Sequence, residues 1–153
     1  MIAFFRLVRP VNLLIIVLTM FGVSFFLKSV YHFDYNSIDL ILLMLSTVMI
    51  AAAGNIINDY FDVKADRINK PEKLIITKQL KRRWAIVSHW TINAFAFGIG
   101  IYLSFKYDTL IFAFIHLVSI NLLWFYSMVL KRKVLIGNLI VAFLTSLIPI
   151  LTL

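Results

Sequence analysis

The segment Gly54-Asn55-Ile56-Ile57-Asn58-Asp59-Tyr60-Phe61-Asp62-Val63-Lys64-Ala65-Asp66-Arg67 gathers the residues best suited to chemistry. Asp59, Asp62 and Asp66, with Glu72 shortly after, are four of the seven acids in the chain. Continued as a helix, the segment puts Asn55, Asp59, Asp62 and Asp66 at intervals of four, three and four, which is one face at about 3.6 residues per turn. Asn58 borders that face. Carboxylates at these intervals repel one another, and more strongly near a low-dielectric boundary, so the face calls for a cation. Oxygen donors with no His or Cys beside them suit a hard ion, and Mg2+ takes one or two carboxylates and completes its shell with water and phosphate oxygens. Asn58, Asp59, Asp62 and Asp66 are therefore the candidate Mg2+ ligands, and a phosphate-bearing molecule is the expected partner. Arg67, Lys70 and Lys73 follow directly and can take up the remaining phosphate charge. The competing reading is a solvated amphipathic segment whose acids pair with Lys64, Arg67 and Lys70. Asn55 and Asn58 speak against it, because amides are poor choices for surface charge pairing.

The elements that must position this face are apolar. Of the 153 residues 62% are hydrophobic and 14% charged, against roughly 45–50% and about 25% in a soluble domain, and the mean hydropathy is +0.96. This composition excludes a soluble or disordered chain and predicts an all-α, polytopic transmembrane helix bundle. A hydrocarbon core about 30 Å thick needs roughly 20 apolar residues per helix, which five stretches supply at about 11–27, 38–57, 84–105, 109–130 and 134–153. An acidic and basic loop is expected over 58–83. The first stretch follows Arg6 and Arg9 but ends in Phe25-Phe26-Leu27-Lys28 without a small-residue cleavage site, so it reads as a retained span. There is no cysteine, hence no disulfide and no thiolate site.

Thirteen of the fifteen cations lie on one side of these spans, and only Lys28 and Lys106 on the other. The positive-inside rule then puts the N-terminus and the acidic segment in the cytoplasm, with the chain integral to the inner or cytoplasmic membrane. The net charge of +8 is thus a topology signal, and nucleic acid is not an expected partner. Lys131 and Arg132, between the fourth and fifth stretches, share the membrane face of the acids and can assist a phosphate. The last run, ending Ile148-Pro149-Ile150-Leu151-Thr152-Leu153, has no polar or aromatic anchor after it. A fragment, or the N-terminal part of a longer bundle, is the expectation.

Asn58-Asp59-x-x-Asp62-x-x-x-Asp66 resembles the Asn-Asp-x-x-Asp-x-x-x-Asp motif of the UbiA-type intramembrane prenyltransferases, at the position that family uses, the cytoplasmic end of the second helix. Arg9-Pro10, Asn69-Lys70-Pro71, Tyr126-Ser127 with Lys131-Arg132, and Leu135-Ile136-Gly137-Asn138-Leu139-Ile140-Val141-Ala142 are similar to family features as well, so the resemblance spans essentially the whole chain. It implies a bundle of about nine helices that transfers a polyprenyl group from its diphosphate to an acceptor. It also implies two acidic motifs that bind Mg2+ and diphosphate together, of which this chain carries the first. With the C-terminal half of the bundle missing, 153 residues alone are expected to be inactive. Arg9-Pro10-Val11-Asn12 and Leu-Ile-Gly-Asn are most similar to the branch that prenylates geranylgeranylglyceryl phosphate in ether-lipid synthesis; 4-hydroxybenzoate, quinone-precursor and haem acceptors are the alternatives.

Loss of diphosphate from an allylic carbon needs positive charge at the departing oxygens and an electron-rich surface at the carbon. Asp59, Asp62 and Asp66 through Mg2+, with Arg67 and Lys73 beside them, answer the first need. Ring faces of Tyr60, Phe61, Trp124, Phe125 and Tyr126 are candidates for the second. Asn12 and Asn138 lie near the same membrane face and either contact substrate or bond between helices. His32, His89 and His116 are dispersed and read as structural, and Gly98-Ile99-Gly100 as a helix contact. A phosphotransferase of the CDP-alcohol class would need an Asp-Gly-x-x-Ala-Arg run, which is absent. A non-enzymatic transport or structural subunit would want acids at mid-membrane rather than at one edge.

Overall fold

The computed structural model describes residues 2–32 and 36–151, which form six α-helices: α1 (Ile2–Val8), α2 (Pro10–Tyr31), α3 (Ser37–Asn69), α4 (Arg82–Lys106), α5 (Ile111–Met128) and α6 (Val134–Ile150). Short 3-10 turns at Pro71–Lys73 and Leu130–Arg132 complete the pattern. Four helices, α2 to α5, are long and apolar enough to cross a membrane, and the apolar Leu135–Ile150 of α6 is shorter. The fifth expected span is therefore a helix of 17 residues, and the last two residues of that stretch lie outside the described ones.

The largest departure from the sequence reading concerns the segment expected as a loop. α3 does not stop at residue 57 but runs unbroken to Asn69, and only residues 70–81 connect it to α4. Nothing in the acidic stretch interrupts a helix, since Pro and Gly are absent from 55 to 69 and Pro71 marks the stop. At 33 residues α3 is about 50 Å long, well beyond a hydrocarbon core of about 30 Å. Its acidic end therefore projects past the apolar layer.

α3 is the axis of the bundle. Half of its apolar window is buried, against 11% for α2 and for α5. Its small residues Ala52, Ala53 and Gly54 are buried, and a Cβ on Gly54 would stand 3.0 Å from a methyl of Leu123 on α5. Close packing of this kind is what drives helix association in lipid, where burial of apolar surface contributes little. The polar contacts agree: His89 on α4 donates its Nδ1 proton to the Ala53 carbonyl at 2.9 Å. At the acidic end, Leu7, Ile56, Val63, Leu74, Ile76 and Ala85 pack α1, α3, the 70–81 connection and α4 together. At the opposite end Lys106 and Tyr107 both donate to the buried Asp39 carboxylate, at 2.8 and 2.7 Å, joining the end of α4 to the start of α3. Phe21, Phe25, Phe95, Phe105 and Phe114 are exposed, as lipid-facing residues of a membrane bundle must be.

Candidate active site at the acidic end of α3

The site begins with a corner. Pro10 cannot continue α1, and the residue before a proline is disfavoured in helical conformation. Arg9 takes a left-handed conformation, φ 55° and ψ 68°, and the chain turns sharply into α2. The turn leaves the Val8 carbonyl without a helical donor, and Asn55 on α3 supplies one, Nδ2 to O at 2.9 Å. Held in this way, Arg9 reaches Asp59, Nη2 to Oδ1 at 2.6 Å. Asn55→Ala is expected to loosen the corner by about 1 kcal/mol. The check is faster amide hydrogen exchange over residues 4–8 with no change in the middle of α3.

A second corner lies across the acidic face. α5 ends at Met128, and the 3-10 turn Leu130–Arg132 leads into α6. Gly137 permits the close return, because a Cβ there would lie 3.1 Å from the Leu130 carbonyl and 3.2 Å from the Lys131 Cα. Lys131 is thereby turned inward, and its Nζ donates to Asp62 Oδ1 at 2.6 Å and to Asn58 Oδ1 at 3.1 Å. Its side chain is 14% exposed, the most enclosed of the four ion-paired groups on this face. Arg9 and Lys131 therefore stand on successive carboxylates of one helical face.

Between these corners a cavity of about 380 Å³ opens among α2, α3, α5 and α6. Its mouth carries Arg9, Asn12, Asn55, Asn58 and Tyr126, and its depth is lined by Ile16, Thr47, Ile50, Ile115, His116, Leu147, Ile148 and Leu151. From Asn58 to Thr47 along α3 is about 16 Å. The polar mouth adjoins the acids, and the shaft is mostly apolar, with Thr47, His116, Ser119 and Thr145 as its polar members.

Of the residues proposed from sequence, Asn12, Asn55, Asn58 and Tyr126 line the cavity. Asp59 and Asp62 do not line the cavity but pair beside its mouth with Arg9, which does, and with Lys131, which does not. Asp66 is one helical turn beyond Asp62 and, like Asp62, acts electrostatically on Asp59. Arg67, Arg132 and Asn138 are exposed, and none of them lines the cavity. The backbone of Lys73 closes the first 3-10 turn, and its side chain lies outside the described residues. Among the aromatic candidates only Tyr126 faces the cavity. Tyr60 already holds Arg82 over its ring at 4.7 Å. Phe61 and Trp124 are edge to face at 5.6 Å, Trp124 also packs on His89 and Trp90, and Phe125 is half exposed.

Asn58, Asp59, Asp62 and Asp66 do not form a closed metal cage. Among the described residues no three Asp, Glu, His or Cys side chains converge on a point where an ion could be held. The donor chemistry nonetheless fits Mg2+, which uses one or two carboxylates and leaves the rest of its shell to water and substrate phosphate. Asp59 and Asp62 can serve in that way once their ion pairs yield. Sequence reasoning places Arg9 at the flank of the first span and in an Arg-Pro pair similar to a family feature, but not among the site residues. Its signal was the Arg-Pro pair, but its partner is 50 residues away. His116, read as structural, lines the cavity at depth with Thr47 and Ser119.

The family model described as UbiA prenyltransferase family matches residues 13–153. Digeranylgeranylglyceryl phosphate synthase of Methanobrevibacter smithii is 35% identical over 142 residues, covering 93% of this chain and 48% of that protein. The protein of the same name from Sulfurisphaera tokodaii is 36% identical over 148 residues, covering 95% and 49%. A solved structure from work on digeranylgeranylglyceryl phosphate synthase in membranes superposes with a TM-score of 0.85 at 21% identity, over 98% of this chain and 51% of that one. The chain spans about half the length of the curated relatives it matches. It is an integral membrane protein, and it belongs to the UbiA prenyltransferase family.

Proposed function

We propose that this chain forms the donor-binding part of a prenyltransferase site, taking a prenyl diphosphate with its headgroup against Asp59 and Asp62 and its tail in the cavity. The supporting observation is the continuity of a polar mouth, which carries Arg9 and adjoins the Lys131–Asp62 pair, with a mostly apolar shaft. No simple surface ion-pair network requires such a shaft. The names of the relatives favour geranylgeranyl diphosphate as donor and a geranylgeranylglyceryl phosphate as acceptor, and the one-sided distribution of Lys and Arg favours a cytoplasmic acidic end and N-terminus.

Asp59 and Asp62, aided by Asn58 and Asp66, would hold Mg2+, which when bound supplies positive charge to the departing diphosphate oxygens. In the absence of substrate Arg9 and Lys131 neutralise the same carboxylates, so one stands in the mouth and the other beside it when phosphate arrives. They can transfer their hydrogen bonds from carboxylate to phosphate without crossing the site. The allylic C–O bond breaks with its electron pair going to the diphosphate, and the acceptor hydroxyl forms the new C–O bond and passes its proton to the departing diphosphate. Tyr126, at the mouth, presents a ring to the electron-poor carbon, a contact worth about 0.5–2 kcal/mol. Moving a prenyl tail from bilayer to groove gains little, and the cavity contributes by fixing where the reacting carbon stands.

The test is retention of radiolabelled geranylgeranyl diphosphate by the chain in lipid nanodiscs. Binding is expected with Mg2+ and its release on chelation. Equal retention with and without the metal, or no retention at all, overturns the proposal. In membranes expressing the complete protein, comparison of glyceryl phosphate, aromatic and haem acceptors then assigns the second substrate.

A further inference from the structure

Gly100 and His116 meet behind the cavity. The imidazole of His116 is buried. Its Nδ1 donates to the Phe112 carbonyl at 2.7 Å, and its Nε2 lies 2.8 Å from the Ser46 hydroxyl on α3. On one side the ring borders the cavity at the level of Thr47 and Ile115. On the other it rests on Gly100 of α4, where an added Cβ would lie 2.8 Å from Cγ, 3.0 Å from Cδ2 and 3.1 Å from Nδ1. These are contacts with the root of a hydrogen-bonded ring rather than the tip of a flexible chain, so any side chain at 100 displaces the ring or its helix away from α4. His116 stands about 15 Å along α5 from Tyr126 at the mouth.

We propose that His116, seated on Gly100, is a specificity-determining residue that sets how far a prenyl tail reaches into the cavity. A polar ring tied to two helices is a poor neighbour for hydrocarbon, since a tail that pushes it aside offers nothing in place of its hydrogen bonds to Phe112 and Ser46. The smallness of residue 100 decides how far that ring stands back. Gly100 is thus the setting of the stop, and His116 is the stop. This inference rests on the cavity being the seat of the tail, as proposed above, and deepens that reading by assigning the selection of tail length.

The experiment compares Mg2+-dependent binding of farnesyl, geranylgeranyl and a longer prenyl diphosphate to the full chain in nanodiscs, for wild type, Gly100→Ala, His116→Ala and the double variant. Gly100→Ala is expected to shift preference toward the shorter tail by about tenfold, the scale of a small steric change in an apolar pocket. His116→Ala is expected to shift it toward the longer one. In the double variant the alanine at 100 has no ring to push and the shift of Gly100→Ala should vanish. Should Gly100→Ala fail to fold, His116→Ala alone decides by the direction of its preference. Equal changes for all three tails, or an undiminished Gly100→Ala effect without the imidazole, overturn this inference while leaving the proposed site standing. No binding of any diphosphate by wild type overturns the site and the inference together.

Discussion

Asp62→Asn is expected to lower Mg2+-dependent binding of prenyl diphosphate, and transfer in the complete protein, by on the order of a hundredfold or more, with membrane insertion and helix content unchanged. The substitution keeps the shape of the side chain and an oxygen that Lys131 Nζ, now 2.6 Å from Asp62 Oδ1, can still donate to. What it removes is the charge. A hard divalent ion held by only one or two carboxylates depends on each of them, and an amide oxygen does not replace one. Lys131 also keeps its second acceptor, Asn58 Oδ1 at 3.1 Å, so the α5–α6 corner has no reason to move. Titration with Mg2+ and a prenyl diphosphate analogue, together with circular dichroism in the same nanodiscs, separates the two effects. Wild-type binding in the variant would remove Asp62 from the site.

The second large effect belongs to Lys131→Ala, and its value lies in opposite signs. In the proposed site Lys131 competes with Mg2+ for Asp62 when no diphosphate is present, and joins Mg2+ on the phosphate when it is. Removing it is expected to strengthen binding of Mg2+ alone by about tenfold, because the attraction between Lys131 and Asp62 no longer has to be broken. It is expected to weaken diphosphate binding by on the order of a hundredfold. Lys131→Arg should recover part of the second effect, although a planar fork on the same short turn cannot reproduce a point charge. A purely structural lysine predicts neither the gain for the metal nor the rescue. Loss of both bindings in parallel would place Lys131 outside the exchange.

What the sequence disclosed follows from the range over which its physics acts. The acid spacing was legible because helical period is local, and α3 does carry Asn58, Asp59, Asp62 and Asp66 through an unbroken helix. The membrane bundle was legible from composition, and the family from the acidic motif. The extent of α3 beyond the apolar run was legible only as a condition, since polar residues past a span are compatible with either helix or loop. The pairs Arg9–Asp59 and Lys131–Asp62 were not legible, because they join residues 50 and 69 apart through corners whose geometry depends on Pro10 and Gly137. Arg67, Arg132 and Asn138 show the converse: residue types suited to phosphate that are exposed and outside the cavity lining. His116 reads from sequence as an isolated polar residue in an apolar stretch, and only the junction of three helices reveals that it borders the cavity.

For a donor seated as proposed, the overshoot of α3 governs how reactants arrive. The headgroup stays at the depth it already occupies in one leaflet, and the hydrocarbon remains submerged, so neither portion has to exchange its surroundings on entry. Delivery becomes a two-dimensional search along the leaflet, and occupancy follows the surface density of the prenyl lipid rather than its concentration in bulk water. Diluting that lipid with inert phospholipid at constant total amount should therefore slow the protein, although nothing in the aqueous phase has changed.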